Sequence, residues 1–257
     1  MIFESKNISN DLLDDLKSNH YSRRIKSHFY AYGDKYDFSR FFIIEDNNEQ
    51  LGIISIFNSS MMISTMKNQS LNENILGELA HFILMNKPLA VELETDYAKS
   101  LERLLEREYK PDVRTEFEFA SKNTLPSMDV NELPDLDDVF NVLKTSFPAI
   151  ARSYELWLTD TSHRVRHGLS QSFLLGDFTT ATIQYIIDGV ALIGHVATIP
   201  EERGKFHARH LLYWIGERLT LDGFTVKLYA RPHRVSYYEE IGFKEIGTDI
   251  VLERIKD

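Results

Sequence analysis

Cysteine is absent from the 257 residues. That excludes disulfides, thiolate zinc sites and a cysteine nucleophile, and it accords with a reducing compartment, so the cytoplasm is the expected location. Long apolar runs are missing too. The longest, Leu51 to Phe57 and Gly189 to Ile199, fall far short of the roughly 20 residues a bilayer span needs. Met1-Ile2-Phe3-Glu4-Ser5 opens no signal peptide, so no membrane partner is expected. Positive charge is in deficit: 29 Lys and Arg stand against 39 Asp and Glu, a formal charge of -10. Such a field repels nucleic acid and anionic lipid, so nucleic acid is not expected as a partner either. What remains, 43% hydrophobic and 12% aromatic residues, is the composition of a folded protein. The length allows one large domain or two ordinary ones.

Apolar periodicity divides the chain. A polar helical stretch around Ser9 to Ser18 leads into a basic, aromatic segment from His20 to Tyr36 that the pattern leaves unassigned. Phe41 to Glu45 and Leu51 to Phe57 flank a polar turn and read as a hairpin. Met61 to Ser70 reads as a turn, without glycine or arginine. Ile75, Leu76, Leu79, Phe82 and Ile83 recur at three and four residues and predict a helix over 72–85, stopped by Lys87-Pro88. A strand at 89–93, a helix at 97–108 and a strand at 114–119 follow. The segment from Ala120 to Asp138, with Pro126 and Pro134, reads as a linker between an N-terminal domain, 1–122, and a C-terminal domain, 123–257. Helices near 135–146 and 152–170 come next, then strands at 172–175, 179–187 and 190–198. A helix at 206–222, a strand at 225–230, a helix at 233–240 and a strand at 247–254 close the chain. The class is α/β, with a mixed, mostly antiparallel central sheet flanked by helices. Because 72–119 and 206–254 share the order helix, strand, helix, strand after a hairpin, two similar domains in tandem are expected.

The most informative stretch runs from Gly194 to Leu212. An apolar strand ends at Pro200, and Glu201-Glu202-Arg203-Gly204-Lys205 then opens into an amphipathic helix. A helix start exposes unpaired N–H groups and the positive end of the dipole, a seat for phosphate. This stretch resembles the GCN5-related N-acetyltransferase family, whose pyrophosphate loop follows Arg/Gln-x-x-Gly-x-Gly/Ala. Arg203 and Ala208 match the first and last positions, and Phe206 stands at the fixed position between them, where the family has glycine. Tyr238 to Phe243 is similar to the family's Tyr-x-x-Leu-Gly-Phe signature, with Ile241 in place of Leu. The two motifs lie 35 residues apart, room for one helix, one strand and the start of another. The resemblance covers roughly Asp135 to Asp257. The first half shares at most its outline, and if it is a degenerate domain of the same kind it has lost its phosphate cradle.

The resemblance implies N-acetyl transfer from acetyl-coenzyme A, the co-substrate, to an amine or peptide amine in a ternary complex. It implies that Val196, Ala197 and Thr198 hold the pantetheine arm, that Arg203, Gly204, Lys205, Phe206, His207 and Ala208 hold the diphosphate, and that Tyr238 donates to sulfur. His195, on the strand beside the acyl site, is a candidate base. His163, Arg166 and His167 are candidates for the acceptor groove. No metal is expected, since no carboxylate completes a His-x-x-x-His pair there. A homodimer is allowed. Plainer readings stand beside these: a solvated helix start for 203–208, a packed aromatic for Tyr238 with Tyr237 as the functional one, a hydrogen-bonded strand histidine for His195, and packing for the 163–167 cluster. A further alternative is a non-catalytic acyl-coenzyme A or metabolite-binding module of the same shape, which Phe206 favours.

Overall fold

The computed structural model describes residues 1–255. Its first elements are β1 (Ile2–Glu4), α1 (Asn10–Asp14), α2 (His20–Tyr32), β2 (Ser39–Asp46), β3 (Glu49–Phe57), β4 (Ser60–Thr65), α3 (Glu73–Asn86), β5 (Ala90–Glu92), α4 (Thr95–Leu105) and β6 (Tyr109–Phe119). Then come β7 (Val130–Asn131), α5 (Leu136–Leu143), α6 (Pro148–Ala151), α7 (Tyr154–Arg166), β8 (Gln171–Leu175), β9 (Thr179–Ile187) and β10 (Val190–Thr198). The chain ends with α8 (His207–Leu221), β11 (Thr225–Ala230), α9 (Val235–Ile241) and β12 (Phe243–Arg254). Two compact units result: Met1–Arg114 together with the residues from Thr248 on, and Thr115–Gly247. The sequence alone sets its division after residue 122; by contacts the chain changes unit inside β6 and again inside β12.

In the first unit the strands follow the order β1-β2-β3-β4-β5-β12. All neighbours are antiparallel except β4 and β5, which the crossover helix α3 makes parallel. The β2–β3 turn is Asn47-Asn48, both at positive φ, the conformation a tight hairpin turn needs and asparagine tolerates. Phe42 and Ile44 pack into a cluster with Leu79 and Ile83 of α3, while Phe41 and Ile43 join Leu13, Tyr21 and Ile25 on the other face. With both faces covered, Phe41-Phe42-Ile43-Ile44 is continuously apolar rather than alternating. One sequence expectation is corrected here, and one unassigned segment is resolved. Met61 to Thr65 is a strand, with Met61, Met62 and Ile63 buried, and not a turn. The unassigned segment from His20 is a 13-residue helix with an Asn19–Ser22 capping box.

The second unit repeats the plan in the order β6-β11-β10-β9-β8-β7. Its three-strand meander β8-β9-β10 turns at Asp188-Gly189, both at positive φ, and β10 and β11 are parallel across α8. Leu211, Trp214 and Ile215 of α8 pack on Phe173, Ile183 and Ile193, and Val139, Val142 and Leu143 of α5 cover Leu174 and Ala197 on the opposite face. The segment after β6 is not a free linker. Buried Glu217 of α8 accepts hydrogen bonds from Ser121 Oγ and from Lys122 N, the latter at 2.7 Å, and so pins it to the helix.

Candidate functional site

The site starts where β10 and β11 of the second unit part. β10 pairs with β11 only from Val190 to Ile193, and its register against β9 shifts between Gly194 and Ala197. His195 sits in that bulge at φ 40°. A bulge bends a strand and re-aims the residues beyond it. Val196, Ala197 and Thr198 therefore run past the β11 ladder, leaving that side of their backbone without a strand partner. Pro200–Glu202 forms a 3-10 turn, and α8 begins at His207. Its N-cap residue, Phe206, is left-handed at φ 64° and gives no side-chain cap, so the first N–H groups of α8 are left for another acceptor. A non-glycine residue in that conformation costs about 1 kcal/mol. The ring is 60% exposed. Arg209 lies between it and Tyr237, its guanidinium carbon 5.3 and 5.7 Å from the two ring centroids, and also pairs with Glu240.

A cavity of about 590 Å³ opens at this point. Val196, Ala197 and Thr198 form one wall, continued by Arg203 and Ala208 at the approach to α8. Arg234, Tyr237 and Tyr238 face it from the start of α9, and Thr145, Ser146 and Phe147 from the turn between α5 and α6. Tyr238 packs its ring 5.6 Å from Phe117 and 6.0 Å from Phe243, and its hydroxyl makes no hydrogen bond among the described residues. Burial pushes the Tyr238 phenol up, Tyr237 adds to this, and the positive charge of Arg234 opposes it. The group is thus a protonated, uncommitted donor at neutral pH.

Of the residues expected from the sequence, the cavity brings together Val196, Ala197, Thr198, Arg203, Ala208 and Tyr238. Gly204, Lys205, Phe206 and His207 form the approach to α8 without walling it. Lys205 Nζ lies 2.7 Å and His207 Nε2 3.1 Å from the carboxylate of Glu202, which these partners hold below its usual carboxylate range. His195 is not a wall residue. Its ring meets Phe147 edge-on at 5.4 Å, with Nδ1 3.4 Å from Thr182 Oγ1. His163, Arg166 and His167 also stay outside the lining. The two imidazoles are 4.3 Å apart, His167 Nδ1 is 2.8 Å from the His163 carbonyl, and Arg166 Nε donates to the Ser162 carbonyl. Sequence reasoning missed Arg234, although it stands one helical turn before Tyr238, the spacing that shares a face. It also missed Thr145 to Phe147, which come from a separate element and carry no local signal.

The matching place in the first unit is closed. Asn72 Oδ1 accepts from Ile75 N at 3.0 Å and caps α3, while Glu94 Oε1 accepts from Thr65 N at 3.2 Å and Thr65 Oγ1 at 2.8 Å, at the end of β4. Among the described residues no group of His, Asp and Glu is arranged to hold a metal ion, and no helix is long and apolar enough to cross a membrane.

This architecture is that of the GCN5-related N-acetyltransferases. An acetyltransferase of that family from Colwellia psychrerythraea is 14% identical to this chain, with a TM-score of 0.58 and both chains covered in full. A putative acetyltransferase from Pyrococcus horikoshii is 11% identical, with a TM-score of 0.65 over 100% of this chain and 89% of its own. A tandem protein of the same family from the clavulanic acid biosynthesis pathway is 9% identical, with a TM-score of 0.59 over 90% of this chain and 88% of its own, and its tandem build supports the reading of two units of one kind. No protein-family model matches this chain, and no curated protein sequence does.

Proposed function

We propose that this chain is an N-acetyltransferase that passes an acetyl group from acetyl-coenzyme A to an amine by direct attack. One observation carries the reading: the detached end of β10, the uncapped start of α8 and a free tyrosine hydroxyl border a single cavity. The residues fit the donor. Main chain at Val196 to Thr198, without a strand partner on the β11 side, aligns a pantetheine arm as an added strand would and polarises the acetyl carbonyl. The N–H groups at 204–208 and the Arg203 guanidinium hold the diphosphate. Coenzyme A supplies the thioester; the protein supplies position and protons. As the amine nitrogen bonds to the carbonyl carbon and the C–S bond breaks, Tyr238 gives its proton to the leaving sulfur. The amine's proton passes through water to His195, which stands behind the Phe147 wall. His163, Arg166 and His167 remain the proposed acceptor side. With no cysteine in the chain, an acyl-cysteine intermediate does not enter.

Thiol release from acetyl-coenzyme A with pooled primary amines tests this. Tyr238→Phe is expected to lower kcat at least about 10-fold, as loss of a general acid does, with donor affinity nearly unchanged. Wild-type turnover in that variant would remove Tyr238 from the mechanism. The second reading, a binding module without catalysis, draws on Phe206 in the loop position that the family gives to glycine. Donor binding without thiol release on any amine would favour it.

A further inference from the structure

The sequence assigns the positive charge for the diphosphate to Arg203 and Lys205, and the geometry redistributes it. Between Glu201 and Ala208 two acids, Glu201 and Glu202, offset two bases, Arg203 and Lys205, so with His207 neutral the loop carries no net charge. Glu202 holds both Lys205 and His207. A cation beside its own carboxylate presents a dipole, not a charge, to an incoming phosphate. Arg203 differs. Its Nε donates to the Thr198 carbonyl at 3.0 Å and an η nitrogen to Ser146 Oγ at 3.1 Å, both neutral acceptors that aim the guanidinium without cancelling it.

A second uncancelled cation lines the same cavity. Arg234 forms no side-chain hydrogen bond or ion pair among the described residues, and no residue of the lining is acidic. Its charge is felt by both Tyr237 and Tyr238. β10 and β11 are parallel, so the loops after their C-terminal ends, which carry Arg203 and Arg234, emerge at the same edge of the sheet. In a protein of charge -10, an acid-free cavity entered by two guanidiniums from two loops is built for an anion.

Resting on the reading of the cleft as a coenzyme A site, we infer that Arg234 is the second diphosphate ligand, paired with Arg203, and takes the part that the sequence gives to Lys205. Calorimetric titrations of wild type, Arg234→Gln and Lys205→Gln with coenzyme A and 3′-dephospho-coenzyme A test it. Arg234→Gln is expected to weaken both ligands by about 10- to 100-fold, the range of a charge-assisted phosphate contact, and Lys205→Gln by less than about 3-fold. Arg234 is exposed, and an unchanged melting temperature of Arg234→Gln assigns the loss to binding. A loss in Lys205→Gln with none in Arg234→Gln overturns the inference and leaves the coenzyme A site standing. A loss confined to coenzyme A moves Arg234 to the 3′-phosphate and overturns the diphosphate assignment. Failure of the wild type to bind either ligand removes the site itself, and the inference with it.

Discussion

Glu92 and Asp249 are buried carboxylates of the first unit, 8% and 3% exposed, and they titrate in opposite directions. Burial raises both. At Glu92 the hydrogen bond to His20, 3.3 Å away, and the charge of Arg24 more than offset it, and its pKa falls from an ordinary 4.5 to about 2. At Asp249 burial prevails over the hydrogen bond that Tyr21 donates at 2.6 Å, and the pKa stays raised. For Glu92 the sign is that of a depressed acid: its contribution, about 3 kcal/mol, is present above pH 4.5 and lost as pH falls towards 2. Glu92→Gln is therefore expected to melt well below wild type at pH 7, with the gap narrowing steadily from pH 5 to pH 2. A constant gap across that range would mean that the ionised Glu92 carboxylate contributes nothing.

At the level of elements, the starts of α3 and α8 separate the two units chemically. α3 is closed by Asn72, whereas α8 begins at a strained Phe206 with its first N–H groups open. The open start is held in place by packing further along. A Cβ built at Gly216 would lie 2.6 Å from the ring of Phe119, so α8 approaches β6 as closely as it does only because the residue there is glycine. An aromatic ring fixed in a core cannot step aside as a flexible chain end does. Gly216→Ala is expected to destabilise by about 1–3 kcal/mol, read as a lowered midpoint in urea with unchanged slope. Elements whose buried faces are apolar are legible in the sequence: α3 is predicted at 72–85 and found at Glu73–Asn86. α2 is not, because its buried face includes His20, Ser22, Lys26, Ser27 and His28, polar groups accepted only where the fold supplies partners such as Glu92, Asp14 and Ser55.

At the scale of the whole molecule, each unit is completed by a strand that the chain order would give to the other. β5 pairs with β12 at Ala90, Val91 and Glu92, and β11 pairs with β6 from Thr115 to Glu118. Removing residues 248–257 from the C-terminus is therefore expected to damage the N-terminal unit first. Hydrogen exchange would show protection lost at β5 and α2, through Asp249 and Tyr21, while the meander β8-β9-β10 keeps its amides. Loss of protection in β8-β9-β10 first would contradict that division.

Local pattern alone determined the alternation of helix and strand and the tandem order of the two halves, because burial period is written within a few neighbouring residues, while the loop at 203–208 and Tyr238 were singled out by their resemblance to family motifs. Only the tertiary structure decided which strand closes which sheet, that Glu202 cancels Lys205, and that Arg234 and Thr145 to Phe147 border the cleft. Those outcomes depend on which segments meet across long stretches of chain, and the period of a segment records that it is buried, not against what.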